Sequence, residues 1–165
     1  MKAQKGFSLI ELLIVVVIIG IIAAIAIPNL LASRRASNEG SAISSIRTLH
    51  GAQSTYASTY GNGNYAGNTS LDQAGLTALA GPALIDSVLG GGTKSGYVFQ
   101  GLRVDKSSSE PAQFMWSAVP ATTSGVTQTG ARRFGVATDG VIKADTTMTD
   151  YADIAAVSNG SALSN

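Results

Sequence analysis

The sequence contains no cysteine, which excludes disulfides, thiolate metal sites and a cysteine nucleophile outright. Charge is also scarce. Charged residues are 13% of the 165, and eleven cations against ten acids leave a formal net charge of +1. There is no basic stripe with interleaved aromatics, so no specific nucleic-acid partner is expected. Histidine occurs once, as His50, with no second histidine or carboxylate at metal-ligand spacing, and it reads as a partly buried packing residue. Asp145, Asp150 and Asp153 do not make the compact ligand run of a calcium loop. No Ser/His/Asp arrangement, phosphate-cradling glycine loop or paired carboxylate motif stands out, so neither catalytic residues, nor a metal, nor a cofactor is expected.

Apolar residues are plentiful and unevenly spread. From Leu12 to Ile27 no polar side chain occurs, and after Pro28 the chain turns small and polar. The length suits one domain with an appended segment. A basic start, Lys2 and Lys5, followed by an apolar run has three readings. It could be a secretory signal cut at Ala24-Ile25-Ala26, a plain anchor over 7–27, or a leader clipped ahead of a retained apolar helix. Glu11 separates them. A lone carboxylate inside an apolar helix costs about 2.5–3.5 kcal/mol on insertion scales, and such groups usually have a partner. A generic signal or anchor gains nothing from one there.

The segment Lys5-Gly6-Phe7-Ser8-Leu9-Ile10-Glu11, with the apolar stretch through Pro28, resembles the processing site of type IV prepilins and the related pseudopilins. The resemblance is close over about the first thirty residues and is one of general layout beyond them. It implies cleavage after Gly6 by a prepilin peptidase and N-methylation of the new terminal Phe7. It also implies that Glu11 neutralises the Phe7 ammonium of a neighbouring subunit, and that Gly20 and Pro28 bound a stretch of helix able to unwind. The leader would be cytoplasmic. Local charge alone does not set that orientation, because Arg34 and Arg35 beyond the apolar run oppose Lys2 and Lys5. With 1–6 removed the chain keeps nine cations against ten acids.

Pro28 either kinks one continuous helix or begins a second one. A helical period continues through Ile43, Ile46, Leu49, Gln53, Tyr56 and Tyr60 to a stop at Gly61, and Arg35 and Glu39 stand one turn apart. A loop over 61–67, a short helix over 71–79 and a break at Gly90-Gly91-Gly92 come next. Strands are expected over 96–104, 113–119, 132–137 and 141–144, the last two joined by a tight Asp139-Gly140 turn. Arg132 and Arg133 flank a strand as solvated charges. The expected fold is α+β: a long kinked N-terminal helix packed against an antiparallel sheet of about four strands. The segments are a leader over 1–6, a membrane or filament-core helix over 7–28, its continuation into the head over 29–60, and a β-rich head over 61–165. The family's C-terminal loop, often closed by a disulfide, would here be held by packing alone.

These features fit the structural subunit of a surface filament, homo-oligomeric and helical. Its precursor would sit in the inner membrane, with the head periplasmic, before assembly machinery moves the subunit to an extracellular filament. The alternative is a pseudopilin of a type II secretion or DNA-uptake machine. A secreted or anchored hydrolase lacks a catalytic constellation.

Overall fold

The computed structural model describes residues 6–163. Lys2, Lys5 and the rest of the expected leader up to residue 5 lie outside the described residues. The chain divides between Arg34 and Arg35 into two compact units.

One helix, α1 (Leu9–Thr59), enters both units. Pro28 is inside it, so the second-helix reading of that proline does not apply. Proline leaves the Ala24 carbonyl without its usual amide donor. One residue on, the Asn29 side-chain amide donates to the Ile25 carbonyl at 3.2 Å, adding a donor where the ladder is weakest. In the first unit the apolar residues are exposed all round the helix, from Phe7 through Leu30. This stretch is long and apolar enough to cross a membrane.

In the second unit α1 has a defined inner face. Glu39, Ala42, Ser45, Ile46, Leu49, Ala52 and Gln53 are buried, at the three- and four-residue spacing of one helical stripe. They meet a five-stranded sheet of β1 (Thr93–Lys94), β2 (Tyr97–Val104), β3 (Gln113–Pro120), β4 (Arg133–Ala137) and β5 (Lys143–Asp145). The strands lie in sequence order, each antiparallel to the next. Short helices α2 (Ala74–Ala80) and α3 (Ser87–Gly90) precede the sheet, and α4 (Ile154–Ser158) follows it.

β3 is buried on both faces, which alternation along the strand makes legible. Phe114, Trp116 and Ala118 join Ile46 and Leu49 in the main core. Met115 instead packs with Ala137, Tyr151 and Val157 in a second cluster that α4 helps to cover. The head is therefore three layers deep: helix, sheet and C-terminal segment.

The sheet has one strand more than the sequence suggests. β1 ends at Lys94, paired with Tyr97 across a two-residue Ser95-Gly96 turn. Both turn residues have positive φ, +50° and +73°, as the hairpin turn that matches strand twist requires. The Asp139-Gly140 turn is present, with Gly140 at φ +73° and the Asp139 carboxylate accepting from the Val141 amide at 3.1 Å. His50 packs its ring against Phe114, with centroids 5.5 Å apart.

Candidate functional site

The first site is the start of α1. Nothing lies within 4 Å of where a side chain on Gly6 would begin, and Phe7 is 85% exposed, so the peptide bond between them is open to another molecule. While that bond is intact, Phe7 carries an amide and not an ammonium. Glu11 is already engaged within its own chain: its Oε2 accepts the backbone N–H of Ser8 at 2.8 Å. Ser8 precedes the first helical residue, and Glu11 stands three residues on. This is the returning half of a capping box, in which a carboxylate satisfies one orphan donor at a helix start. The Ser-x-x-Glu spacing was the signal for this contact, which reading Glu11 for intersubunit charge alone passes over. A carboxylate has two oxygens, so capping by Oε2 leaves Oε1 for a second donor. Gly20 is exposed on the same helix, with nothing within 4 Å of a Cβ added there.

A second set of contacts ties the later part of α1 to the head. Asn38 donates to the Thr129 carbonyl at 2.8 Å. Glu39 does not pair with Arg35, as their spacing suggests. Its carboxylate accepts from the Ala131 amide at 2.8 Å and the Arg132 Nε at 3.0 Å. The physical reason is burial: Glu39 lies on the inward stripe, where a charge needs a fixed counter-charge and donors, and a strand-start arginine supplies both. Arg132 is thus not simply a solvated flank. At the far end of the same stripe, Gln53 clamps Ala66, donating to its carbonyl at 2.9 Å and accepting from its amide at 2.7 Å.

The C-terminal segment is not held by packing alone. Arg133 grips Asp145 with Nε at 2.9 Å and Nη2 at 2.7 Å, and its Nη1 reaches the Thr149 and Asp150 carbonyls at 2.8 and 3.1 Å. Its guanidinium also lies 3.8 Å from the centroid of the Tyr151 ring. Burial pushes the Asp145 carboxyl up, but the Arg133 guanidinium and the Thr147 hydrogen bonds outweigh it and hold the group below the ordinary value. Burial, then the nearby Glu39 charge, raises the Tyr97 phenol well above its ordinary range; its hydroxyl donates to the Arg132 carbonyl at 2.8 Å. Asp153, one of the three aspartates considered for calcium, caps α4 by accepting the Ala156 amide at 2.7 Å. Asp145 and Asp153 are thus committed to an arginine and a helix end.

Residues 1–27 match the family model of the prokaryotic N-terminal methylation motif. The type IV wide pilus major component PilA4 of Thermus thermophilus is 62% identical over 39 residues, 24% of this chain and 30% of that protein. The type IV major pilin protein PilA of Myxococcus xanthus is 48% identical over 55 residues, 33% of this chain and 25% of that one. The type II secretion system core protein G of Klebsiella pneumoniae is 34% identical over 56 residues, 34% of this chain and 40% of that one. The chain thus covers less than half the length of each of these relatives. No solved structure matches it. The N-terminal third of this chain, bearing the methylation motif, is similar to type IV pilins and to type II secretion core protein G.

Proposed function

We propose that the chain is the precursor of a structural, non-catalytic subunit of a type IV pilus-like filament. Residues 1–6 are a leader that a prepilin peptidase removes after Gly6, and the exposed Phe7 amine is then methylated. The helix over 7–28 holds the subunit in the inner membrane, leader cytoplasmic and head periplasmic, and becomes the filament core when assembly machinery extracts it. Residues 29–60 carry it into the head, and 61–165 form the displayed surface. Gly20 and Pro28 bound the stretch that can lengthen on assembly, since glycine has low helix propensity and proline has already removed one ladder bond.

The observation that carries the reading is a helix apolar on every side, broken by one carboxylate four residues from Phe7. Such a surface needs lipid or other copies of itself to cover it. In either setting an isolated carboxylate is costly, and an ammonium freed at Phe7 of the next subunit is a counter-charge at the right end of the helix. Assembly in register pairs the two, and other staggers leave both buried alone. The similarity to core protein G supports a second reading, a pseudopilin of a secretion or uptake machine, in which the same helix chemistry builds a short periplasmic structure.

Intact-mass analysis of subunits sheared from the cell surface, with electron microscopy of the same material, tests this. The expected result is a filament whose main component begins at Phe7 and carries one added methyl group. A chain cut after Ala26 would instead identify an ordinary secreted protein, and a correctly processed chain absent from any surface filament would favour the pseudopilin.

A further inference from the structure

Within the head, β3 has a projection beyond one end and a depression beside the other. The β3–β4 connection leaves Pro120 and is pinched at a neck. There the Thr129 amide donates to the Thr122 carbonyl at 3.0 Å, and the Thr122 amide to the Thr129 hydroxyl at 3.2 Å. Beyond the neck a turn closes from the Gln128 amide to the Gly125 carbonyl at 3.2 Å, with Gly125 at φ +77°. Val126 stands at the corner of that turn, 74% exposed, more than any other large apolar residue of the head. Asn38 fixes the neck by donating to the Thr129 carbonyl at 2.8 Å. The knob is held in shape before anything meets it, so docking it costs little ordering.

At the other end, where Val104 of β2 pairs with Gln113 of β3, the head has an open groove of about 590 Å³. Leu102 and Val104 line it from β2, and Ile154 and Ala155 from α4, with Gln113 and Asp153 among its polar members. Leu102 and Ile154 pack on the second core cluster, which gives the groove a firm apolar base. β3 is eight residues long, so knob and groove are roughly 25 Å apart along the strand. They cannot meet within one head.

We propose that the groove receives the Val126 turn of a second copy of this chain, in a head-to-tail contact. Asp153 is the one charged residue lining the groove, and among the described residues it pairs with no cation. An anionic guest is therefore disfavoured. The tip Ser124-Gly125-Val126-Thr127 carries no charge, and the nearest charged residue along the chain is a cation, the partly exposed Arg132. A knob at one end of a strand and its receptor at the other make a heterologous pair, which propagates from copy to copy and is not used up in a two-fold dimer. The contact is small, well under the roughly 1,200 Å² of a stable free-standing complex, so isolated heads stay apart. Assembly of α1 supplies the proximity, and the knob then sets the register of neighbouring heads. The contact rests on the filament reading and adds which parts of neighbouring heads meet.

The chain has no native cysteine, so introduced pairs report alone. Filaments of the full chain carrying Val126→Cys with Val104→Cys are sheared from cells lacking the wild-type subunit, oxidised and run on a non-reducing gel. A disulfide needs Cβ atoms about 3.5–4.5 Å apart, so only a seated turn links. The expected result is a ladder of dimers, trimers and longer multimers. Val126→Cys with Val88→Cys, which is exposed on α3 and outside the groove, should stay monomeric. Each single variant should also stay monomeric, and the Val126→Cys and Val104→Cys singles expressed together should give dimers and nothing longer. Val126→Asp sets an anion beside Asp153 and should lower filament number several-fold, whereas Val126→Leu should not. Wild-type filament numbers from Val126→Asp, or double-variant filaments without a ladder, overturn the contact and leave the filament standing. Dimers from Val126→Cys alone would show a two-fold contact and overturn the head-to-tail pairing. A wild-type chain that forms no filament overturns the filament reading, and this contact with it.

Discussion

Glu11 caps the start of its helix and, in the proposed filament, also carries the intersubunit charge; substitution can separate the two. Alanine removes the acceptor for the Ser8 amide and the charge together, whereas glutamine keeps an acceptor and loses only the charge. Leader cleavage should continue in both, since the scissile bond is several residues away. Filament number should fall steeply in both, because each incoming Phe7 ammonium would be buried without its counter-charge. Glu11→Asp should be milder. A cleavage blot and a filament count for each variant, in cells lacking the wild-type subunit, decide the matter. Wild-type filament numbers from Glu11→Gln would assign the residue to helix capping and remove charge pairing from the mechanism. Arg133 is the corresponding residue in the head. Arg133→Ala should destabilise the head by about 2 kcal/mol, since it strands Asp145 and two carbonyls at once. Arg133→Lys should recover only part, having neither the fork nor the flat face that meets Tyr151. Because the folded Asp145 carboxyl titrates below its unfolded value, its contribution is complete above about pH 4 and is lost as pH falls through the folded value. The gap between urea melts of wild type and Arg133→Ala should therefore narrow in strong acid, leaving the share owed to the two carbonyls and the Tyr151 ring, and widen above it.

Among the elements, β3 places the tightest limits on its neighbours. Gly101 of β2 pairs with Trp116, and a Cβ on Gly101 would stand 2.9 Å from the Met115 carbonyl oxygen as well as against the indole ring. On the other side Gly75 of α2 meets the same ring, with its Cβ position 2.8 Å from the indole Cη2. Gly101→Ala should cost about 1–3 kcal/mol through overpacking, read as a lowered urea midpoint with unchanged slope. Such pairings explain what the sequence could disclose. β-enriched stretches bounded by turn residues made β2, β3 and β4 legible to within a residue or two, and Asp139-Gly140 announced its turn through backbone chemistry that needs no partner. β1 was hidden because two residues carry no period. Its signal was the Ser95-Gly96 turn, masked by the glycine run just before it. Glu39 was misassigned for a related reason. Helix spacing puts Arg35 in reach, but only the folded sheet brings up Arg132, ninety-three residues away. The same holds for the Arg133 clamp, since adjacent arginines at a strand edge look alike until the C-terminal segment closes over one of them. At the N-terminus the motif was fully local, so Gly6, Phe7 and Glu11 could be singled out without a fold.

For the whole molecule, the two parts of α1 should behave as different materials. Deleting residues through Arg34 removes the all-round apolar surface and keeps Ala42, Ile46, Leu49 and Ala52, which the main core requires. The truncated chain should be a soluble, folded monomer by sedimentation and near-ultraviolet circular dichroism. Deleting through Gly61 should abolish folding, because Ile46 and Leu49 are fully buried and each is worth about 2–5 kcal/mol in comparable truncations. A shorter truncation that stayed membrane-bound would place the lipid-seeking surface in the head and not in the helix. The Arg133 clamp has a consequence if the chain is, as proposed, a filament subunit that bears load. All of its ties are ion pairs, hydrogen bonds and a ring contact, so they part and rejoin with no oxidant or reductant. In the proposed filament, a head pulled open would have one set of partners to find and no sulfur pairing to correct. Its shape should be indifferent to disulfide-forming conditions, and re-formation of the clamp after stretching should respond to salt and acidity.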